Sequence, residues 1–512
     1  MQRPTMEPQD QYNTNLLDNV HPVPWTNPTP DGQYNLVVVG AGTAGLITAA
    51  IAGSLGAKTA LIERHFMGGD CLNVGCVPSK GVIRGARAAA ELQWLAEQGL
   101  SQALQGVNVD FGVAFERMRR IRSEISSHDS PMRYRDEFGV DVYIGDGKFT
   151  GKRTITVTGQ DGSERELRFA RAAVTTGARA AAPPIPGLDS VPYLTNETIF
   201  SLTELPDSLA VIGGGPIGCE MAQSFARYGA TVDLFEAAER ILIREDPEVS
   251  EIVQQALQRD GVRIHYNSAV SEVAKDSDRI VINAATKAGQ AIQVSAEQLL
   301  VAIGRAPNVK DMGLEAAGVK YDKFGVTVND YLQTSNKRIY AAGDVASKYK
   351  FTHMAEASAG VLVQNALFFR TKKVNGIVVP WATYTSPEVA HVGMSEADAE
   401  RSGVAYQVFT HQLAKVDRAR LDGEDEGFAK LIVKKGKTRI LGATIVAAHA
   451  GEMLTEIVLA MQNGLGVDAL AGVVHPYPTQ SEAIKRAAAG YLRSRLTERS
   501  KRILSRWFKW RR

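Results

Sequence analysis

The stretch YNLVVVGAGTAGLITAAIAGSLGAKTALIE, from Tyr34 to Glu63, decides the fold of this chain. An apolar strand runs into Gly40, Gly42 and Gly45, an alanine-rich helix follows, and a second apolar strand ends in the carboxylate. In such a unit the first glycine makes a tight turn, the second lets the backbone approach a pyrophosphate, and the third lets the helix pack on the strand. The closing acid binds ribose hydroxyls. The stretch therefore predicts a dinucleotide-binding unit.

The same pattern recurs in LAVIGGGPIGCEMAQSFARYGATVDLFE, which carries Gly213, Gly215 and Gly218 and ends at Glu236. From the first glycine to the acid there are 23 positions in both copies. One chain with two such units predicts two bound dinucleotides. A flavin and a nicotinamide nucleotide are the pair that best fits this arrangement.

These units organise a chain of the α/β class. We predict two Rossmann-like domains, the second inserted in the first, because the first resumes near TSNKRIYAAGDVA. A change of composition at VVPWATYTSPEVAHVG opens a C-terminal α+β domain. The predicted segments are a flexible leader at 1–32, the first domain at 33–186 and 309–378, the inserted domain at 187–308, the C-terminal domain at 379–490 and a basic tail at 491–512.

The composition is that of an ordinary soluble protein, with 512 residues of which 44% are hydrophobic and 22% charged. Three cysteines are too few for a disulfide-stapled secreted scaffold. No apolar run approaches the roughly 18 residues of a membrane span, and no signal-peptide core opens the chain. Acids in the leader argue against a transit peptide, so we expect a cytoplasmic enzyme.

The net charge of +2 conceals a basic tail, because residues 491–512 hold nine Lys or Arg and one Glu. The rest of the chain is therefore net negative and does not look like a nucleic-acid binder. On a helical projection one face of the tail is apolar and is formed by Leu496, Ile503, Trp507 and Trp510. The pattern is typical of a segment that lies on an anionic membrane surface, and a solvated tail is the alternative.

The segment GGDCLNVGCVPSK, residues 68–80, holds Cys71 and Cys76. With only Cys219 left over, four thiolates for a zinc site are not available, and a structural disulfide is disfavoured in a reducing cytoplasm. A regular helix would separate the two positions by about 8–9 Å, beyond the usual disulfide range. Gly75 gives the chain freedom to distort there, and a helix N-terminus favours a thiolate. We interpret the pair as a redox couple beside the flavin, and Cys219 as a small core residue.

At this point the chain resembles the class I pyridine nucleotide–disulfide oxidoreductases, which include dihydrolipoamide dehydrogenase, glutathione reductase and mercuric reductase. The resemblance covers about 34–490 and rests on both glycine-rich units, GGDCLNVGCVPSK, TTGA (175–178), AIGRAPN (302–308), AAGDVA (341–346) and PYPTQSEA (476–483). It implies FAD, NADH or NADPH, and a C-terminal dimerisation domain that pairs two subunits with shared active sites.

The resemblance also assigns roles to residues of this chain. Cys76 would face the flavin as the charge-transfer thiol, and Cys71 would attack the substrate. Lys80 would pair with Glu220 near the reactive flavin nitrogen. The residues implied to bind FAD are Gly40, Gly42, Gly45, Glu63, Gly69, Lys80, Gly147, Thr176, Gly177 and Asp344. Those implied to bind NAD(P) are Gly213, Gly215, Gly218, Glu236 and Gly304.

One departure from the family pattern bears on the substrate. Disulfide reductases of the family end in His-Pro-Thr-x-x-Glu, where the His is the acid–base partner of the attacking cysteine and the Glu orients it. The segment HPYPTQSEA places Tyr477 in the position of the base, with Glu482 in that of the orienting acid and His475 two residues upstream. A phenol is a poor base near neutral pH. Mercuric reductases are similar here, and Tyr134 is a candidate for their second active-site tyrosine.

Three interpretations follow. The first is a mercuric reductase-like flavoenzyme in which Hg(II) or another soft ion binds transiently at Cys71 and Cys76, with no structural metal. The second is a dihydrolipoamide dehydrogenase-like enzyme in which His475 is the base and Tyr477 only packs. The third is a membrane-associated redox-sensing flavoprotein. The N-terminal Cys-x-x-Cys domain and terminal cysteine pair of mercuric reductases do not occur in this sequence, which weakens the first. Glu236 favours NADH over NADPH, whereas the nearby Arg240 argues for a 2′-phosphate.

Overall fold

The computed structural model describes residues 4–100, 103 and 106–512. The chain forms two compact units. The first comprises residues 1–213, 224–235 and 268–377, and the second comprises residues 214–223, 236–267 and 378–512.

The helices of the described residues are α1 Gln11–Val20, α2 Thr43–Ser54, α3 Gly69–Asn73, α4 Cys76–Glu97, α5 Phe111–Ser126, α6 Pro131–Phe138, α7 Pro216–Tyr228, α8 Pro247–Arg259, α9 Thr352–Leu367, α10 Glu396–Arg401, α11 Asp417–Asp422, α12 Ala450–Met453, α13 Thr455–Gln462, α14 Val467–Gly472, α15 Glu482–Ser494 and α16 Glu498–Trp510.

The strands are β1 Gln33–Val39, β2 Thr59–Glu63, β3 Val140–Gly151, β4 Thr154–Gly159, β5 Glu164–Val174, β6 Ala178–Ala180, β7 Ser208–Ile212, β8 Thr231–Phe235, β9 Arg263–His265, β10 Ser268–Asp276, β11 Arg279–Thr286, β12 Ala291–Ala296, β13 Gln298–Val301, β14 Arg305–Pro307, β15 Tyr321–Asp322, β16 Gly325–Val326, β17 Ile339–Ala341, β18 Pro380–Thr383, β19 Glu388–Gly393, β20 Tyr406–Gln412, β21 Phe428–Lys434 and β22 Ile440–Ala447.

The main sheet of the first unit is built around β1. This strand pairs in parallel with β2 on one side and with β5 on the other, and β17 adds to β5, also in parallel. Its residues Leu36 to Val39 are all buried, with α2 and α9 packed on one face of the sheet. Because both faces of this strand are covered here, its consecutive side chains are all apolar from Leu36 to Val39. The carboxyl ends of β1, β2 and β5 therefore share one edge.

The second glycine-rich stretch builds the same arrangement. Strand β7 pairs in parallel with β8 and with β13, and an antiparallel sheet of β10, β11 and β12 lies in the same unit. The predicted pair of Rossmann-like folds is therefore confirmed.

The second unit contains a five-stranded antiparallel sheet in the order β18-β19-β22-β21-β20. Helices α12 to α15 pack against it, and its core includes Leu431, Ile445 and Ile484. The C-terminal α+β domain is confirmed. In the same unit the side chain of Lys430 is 2% exposed, and its ammonium contacts Asp246, Glu248 and Glu396. These three carboxylates could group around a metal ion, but the lysine charge already fills that position.

The prediction of a flexible leader is wrong from residue 10 onward, because this part of the chain contains a packed helix. Helix α1 begins at Gln11 with Asp10 as its N-cap and packs against α5, and Leu16 and Val20 are fully buried in the core of the first unit. The carboxylate of Asp10 pairs with Arg119 at 2.5 Å. Two apolar residues four positions apart suffice for one helix face when a partner surface exists, and the leader sequence alone does not reveal that surface.

The basic tail is not one continuous helix, because residues 491–494 end α15 and α16 begins at Glu498 with Thr497 as the N-cap. Leu496 therefore lies outside the helix, and its expected place on the apolar face is wrong. Ile503, Trp507 and Trp510 remain on one face, at positions i, i+4 and i+7. None of the helices in the described part of the chain has the length and apolar character needed to cross a membrane.

Candidate active site

The two cysteines lie on either side of a helix break. Cys71 belongs to the short helix α3, and Cys76 is the first residue of α4. Gly75 separates them as the N-cap of α4. A Cβ atom at Gly75 would lie 2.7 Å from the carbonyl oxygen of Asp70, so only glycine lets the chain fold back this tightly. The break is the distortion that the spacing of the cysteines requires.

The two sulfurs have different surroundings. Cys76 is exposed, and its Sγ lies 3.3 Å from the hydroxyl of Thr352. Cys71 is half-buried, and a hydrogen bond with Cys76, followed by burial and the charge on Cys76, raises its pKa. The raised pKa favours the thiol form of Cys71, while the N-terminus of the 22-residue helix α4 favours negative charge on Cys76.

The carboxyl group of Asp129, which the sequence did not indicate, also affects the sulfur of Cys71. Burial raises the pKa of Asp129 to about 6, and the charge of this residue contributes to the raised pKa of Cys71. No motif in the sequence marks Asp129, which lies three residues after the end of α5 and far along the chain from the cysteines. Tyr134, the candidate second tyrosine, is only 4% exposed and packs edge-on against Phe138. Its surroundings are those of a core residue.

The first glycine-rich turn has the close contacts that its sequence predicts. A Cβ atom at Gly45 would lie 1.8 Å from the carbonyl oxygen of Gly40, so α2 can pack on β1 only without a side chain there. Gly40 has a φ of 100°, a region that favours glycine. Gly42 is the N-cap of α2 and provides no side-chain cap. The first amides of α2 are therefore available to an anion.

The start of the cysteine segment lies directly on this turn. The amide of Gly68 donates to the carbonyl of Ala41 at 2.9 Å, and a Cβ atom at Gly69 would lie 2.7 Å from the Cα of Gly42. Backbone amides and small residues thus form a cradle that a side chain would fill. The cradle fits the pyrophosphate of a dinucleotide, and it would hold that group within a few residues of Cys71.

The two closing acids repeat the same geometry. Glu63 accepts a hydrogen bond from the amide of Ala41 at 2.7 Å and from that of His65 at 2.8 Å. Glu236 accepts from Gly214 and from Ala238, both at 2.7 Å. Burial raises the pKa of Glu63, and its two amide donors oppose that change. Each carboxylate is fixed at the mouth of its turn, with acceptor capacity left for a ribose hydroxyl.

The glycines predicted to bind NAD(P) lie in loops after buried strands, except Gly218, which is helical. Gly213 has a φ of 113°, and a Cβ atom there would lie 2.7 Å from the carbonyl oxygen of Ala302. Gly215 has open space around it, as backbone that receives a ligand requires. Gly218 lies in the first turn of α7. Gly304 has a φ of 136° and accepts a hydrogen bond from the amide of Ala181 at 3.0 Å.

Two segments that the family motifs single out are bonded to each other. The hydroxyl of Thr176 donates to the carbonyl of Asn308 at 2.7 Å, and the side chain of Asn308 returns a bond to the carbonyl of Thr176 at 2.9 Å. Gly177 has a φ of 68° in this turn. Gly147 lies in β3, where a Cβ atom would lie 3.0 Å from Ile62. That contact explains the glycine by packing, and its part in binding FAD stays a prediction.

Arg305 joins the cysteine segment to a predicted cofactor ligand. Its guanidinium contacts the carboxylate of Asp70, beside Cys71, and lies 3.3 Å from the carboxylate of Asp344. Burial raises the pKa of Asp344, and the charges of Arg305 and Lys350 oppose that change. The arginine was part of a quoted motif, but nothing in the sequence showed that it bridges these two acids.

Lys80 lies one turn after Cys76 in α4, so the two share a helix face. Glu220 is 5% exposed and accepts a hydrogen bond from the amide of Tyr384 at 2.9 Å. The pairing of Lys80 with Glu220 stays a prediction. Cys219 is fully buried and donates to the carbonyl of Gly214 at 3.4 Å, which confirms it as a core residue.

The C-terminal motif presents two side chains, each with its own carboxylate. Tyr477 is 74% exposed, and its hydroxyl donates to Asp417 at 3.0 Å. This bond raises the pKa of Tyr477, so the phenol keeps its proton more firmly. His475 lies 3.0 Å from Glu456 through its Nε2 atom. Glu456 was missed in the sequence because no spacing rule links it to the motif.

Glu482 does not orient either candidate base among the described residues. It is the first residue of α15, and it pairs with Arg486 at 2.6 Å. Burial raises the pKa of Glu456, and the hydrogen bond to His475 opposes that change. In the described part of the chain, the carboxylate beside His475 is therefore that of Glu456 and not that of Glu482.

Comparison with known proteins fits this geometry. Residues 34–359 match the family model "Pyridine nucleotide-disulphide oxidoreductase", and residues 379–488 match the model of its dimerisation domain. The dimerisation domain indicates a homodimer.

Individual relatives and solved structures agree with the family models. The chain is 36% identical to the mercuric reductase of Staphylococcus aureus over 463 residues, which are 90% of this chain and 82% of that protein. It is 32% identical to the mitochondrial dihydrolipoyl dehydrogenase of Dictyostelium discoideum over 462 residues, 89% of this chain and 94% of that one. A copper(II) complex of the HOCl-induced flavoprotein disulfide reductase RclA from Escherichia coli has a TM-score of 0.80 at 27% identity, covering 90% of this chain and 99% of that one.

The cradle at the first glycine-rich turn, the second turn that repeats it, and the adjacent cysteine pair are the parts that this family uses. The chain therefore belongs to the pyridine nucleotide–disulphide oxidoreductase family and is an FAD-dependent oxidoreductase.

Proposed function

We propose that this protein is a mercuric reductase-like NAD(P)H oxidoreductase whose acceptor is Hg(II), another soft metal ion or a small molecule. When bound, FAD carries the two electrons of the nicotinamide hydride to the cysteine pair. With Hg(II) as acceptor the ion takes both electrons and becomes Hg(0), while NAD(P)H becomes NAD(P)⁺ and one proton is released.

The observation that carries the proposal is Tyr477. Its phenol occupies the motif position of the catalytic base, is exposed, and has a raised pKa because it donates to Asp417. Such a group does not take a proton from a thiol near neutral pH, so exchange with a disulfide lacks its proton carrier. It can, however, approach a thiolate-bound metal ion. A similar solved structure is a copper(II) complex, which supports keeping metal ions other than mercury in the proposal.

In this proposal the cysteine pair binds the acceptor, and the glycine-rich turns and their closing acids bind the cofactors. The raised pKa of Cys71 and the helix N-terminus at Cys76 together favour one thiol and one thiolate in the reduced pair offered to the acceptor. Two soft sulfur ligands are what Hg(II) prefers. The cradle of Gly42 and Gly69 binds the pyrophosphate, and Glu63 and Glu236 orient the riboses.

A dihydrolipoamide dehydrogenase-like activity is the second candidate, and the pair of His475 and Glu456 favours it. A carboxylate at 3.0 Å fixes the orientation of the imidazole, as a general base in thiol–disulfide exchange requires. In that case Tyr477 only packs at the dimer interface. The two candidates differ in which side chain meets the acceptor.

Substitution of the cysteines tests the redox pair. A Cys76 thiolate beside bound flavin should give a long-wavelength charge-transfer band after two-electron reduction of the holoenzyme. Cys76→Ala should abolish the band and retain FAD. Cys71→Ala should show it without reduction, because Cys76 then has no disulfide partner. Cys219→Ala is the matched control and should behave as wild type. An unchanged band in Cys76→Ala would refute the assignment.

Kinetics of C-terminal variants separate the two candidate functions. Tyr477→Phe should lower Hg(II)-dependent NAD(P)H oxidation by roughly tenfold, the effect of losing about 1.4 kcal/mol of transition-state stabilisation. Tyr477→His should raise activity with lipoamide or glutathione disulfide by tenfold or more, roughly what general acid–base catalysis contributes at its low end. His475→Ala should leave the metal activity nearly unchanged.

The matched control is Tyr406→Phe, because the Tyr406 hydroxyl also donates to an exposed carboxylate, that of Glu400, at 3.0 Å. It should leave both activities at the wild-type level. The dihydrolipoamide dehydrogenase-like function would instead be established by a strong wild-type activity with lipoamide that His475→Ala removes and that Tyr477→Phe leaves unchanged.

The second glycine-rich unit supports NADH as the reductant. The carboxylate of Glu236 at the mouth of the turn would repel a 2′-phosphate. The guanidinium of Arg240 is already engaged with Glu239 at 2.8 Å and with the carbonyls of Ile243 and Glu245.

We therefore expect a higher kcat/KM for NADH than for NADPH in steady-state kinetics with a fixed acceptor. Glu236→Gln should bring the kcat/KM values for NADH and NADPH closer together because the repelling charge is gone. Glu251→Gln, at an exposed acid of α8 that does not contact Arg240, should leave both values unchanged. A wild-type enzyme with the higher kcat/KM for NADPH would contradict the expectation.

The tail helix α16 supports peripheral contact with an anionic membrane. Its apolar residues are 40–75% exposed and fall within an arc of about 160°. They are Ile503, Leu504, Trp507, Phe508 and Trp510. Basic side chains flank this arc on both sides, and amphipathic helices with aromatic residues and flanking Lys or Arg lie in the interface of anionic bilayers. A nucleic acid would use the charges but leave the aromatic face in water.

Liposome co-sedimentation tests the tail. Full-length protein should bind vesicles that contain phosphatidylglycerol more tightly than vesicles of phosphatidylcholine alone, and a 1–492 truncation should lose this binding. Trp507→Ser with Trp510→Ser should weaken it although every charge remains. Equal sedimentation of full-length and truncated protein would exclude the membrane role.

A further inference from the structure

A cavity of about 650 Å³ opens in the first unit beside the C-terminal end of α9. Its walls come from β5, from the segment that leads into β17, and from the chain that follows α9. Three of its side chains are cations, namely Arg171, Lys337 and Arg370. No Asp or Glu is among the residues that line it. A concave site with three positive charges and no acid favours a negatively charged ligand.

The walls of the cavity are fixed by buried polar groups. Asn365 is 1% exposed, and its side-chain amide donates to the carbonyls of Lys372 at 2.7 Å and Tyr331 at 3.1 Å. Its carbonyl oxygen accepts from the amides of Thr371 at 3.1 Å and Lys372 at 3.2 Å. One side chain therefore ties the loop after α9 to the segment before β17, so the site exists before any ligand arrives.

The cations are positioned rather than neutralised. Arg370 donates to the side-chain oxygen of Gln333 at 2.8 Å, and Gln333 is itself only 7% exposed. The Nε atom of Arg171 is buried without a hydrogen-bond partner. Among the described residues, no carboxylate forms an ion pair with Arg171, Lys337 or Arg370. The C-terminus of α9 contributes only about half a negative charge, so the cavity keeps a positive excess.

The remaining lining is aromatic. Phe368 and Phe369 follow α9 and are 54% and 82% exposed, and Tyr331 and Tyr340 complete the wall. Burial raises the pKa of Tyr340, while the charges of Arg171 and Arg370 oppose that change, as expected if both guanidinium groups act on the cavity. Arginine forks bind phosphate and carboxylate groups through paired N–H donors, and exposed aromatic faces stack on a planar ring.

The cavity is remote from the redox site. The 16 residues of α9 span about 24 Å, with Thr352 against Cys76 at one end and the cavity at the other. The glycine-rich turn lies at the carboxyl edge of the strands, whereas Arg171 lies several residues before the end of β5. None of the three cations belongs to the cysteine pair or to a dinucleotide cradle.

We propose that this cavity binds a small polyanion, a phosphorylated or polycarboxylate metabolite, at a site separate from the cofactor and redox sites. Arg171, Lys337 and Arg370 recognise the charged groups, and the aromatic residues contact the rest of the molecule. The proposal is independent of the acceptor that the cysteines reduce.

Calorimetric titration of the FAD-loaded enzyme with pyrophosphate and with citrate tests the proposal. Saturating NAD⁺ is included so that pyrophosphate does not enter the nicotinamide nucleotide site. At least one probe should bind, and the two arms distinguish phosphate from carboxylate recognition. K337Q/R370Q should weaken that binding at least roughly tenfold, since two charge-assisted contacts are lost.

The control is K287Q/K435Q, which removes two exposed lysine charges elsewhere and should bind like wild type. NAD(P)H oxidation by K337Q/R370Q should equal that of wild type, which verifies folding with a readout independent of the cavity. Failure of both probes to bind, equal loss in test and control pairs, or unchanged binding by K337Q/R370Q would each overturn the proposal.

Discussion

The backbone contact between Gly42 and Gly69 is the constraint on which the site depends. Because neither residue has a side chain, the segment after β2 returns onto the turn that begins α2, and the amide of Gly68 bonds to Ala41 at 2.9 Å. A Cβ atom on Gly69 would lie 2.7 Å from the Cα of Gly42 and would force the two segments apart. The same contact that shapes the pyrophosphate cradle therefore also fixes where α3 and α4 begin, and with them the two sulfurs.

The cysteine pair is asymmetric for a local reason. The break at Gly75 ends one helix and starts another, so one sulfur sits at a helix N-terminus and the other is half-buried. Helix dipole and burial act in opposite directions on a thiol, and together they separate the roles of two chemically identical side chains. The C-terminal motif shows the same principle, because Asp417 keeps a proton on Tyr477 whereas Glu456 orients His475. Both of these carboxylates lie outside the motif in the sequence.

The cationic side chains of this chain have different surroundings, because some are paired with carboxylates and others face solvent or an open cavity. Lys430 is buried and compensated by three carboxylates, so it consolidates the second unit. Arg305 is also paired, between Asp70 and Asp344. The cations of the tail helix lie in water, and those at the end of α9 face an open cavity. Burying a cation without compensation is costly, and the fully buried Arg122 meets that cost by donating to the carbonyl of Asn73 and the side-chain oxygen of Asn13.

The sequence by itself determined the two glycine-rich units, their strands, helix starts and closing acids, and the break between the cysteines. These are local features, because turn geometry and helix packing depend on residues a few positions apart. Tertiary structure alone decided the contacts between distant positions. The leader became a packed helix through Leu16 and Val20, Arg305 reached an acid 235 positions away, and Glu456 rather than Glu482 paired with His475. No periodicity encodes such partners, because the sheet order that brings them together is set by how the whole chain buries its apolar faces.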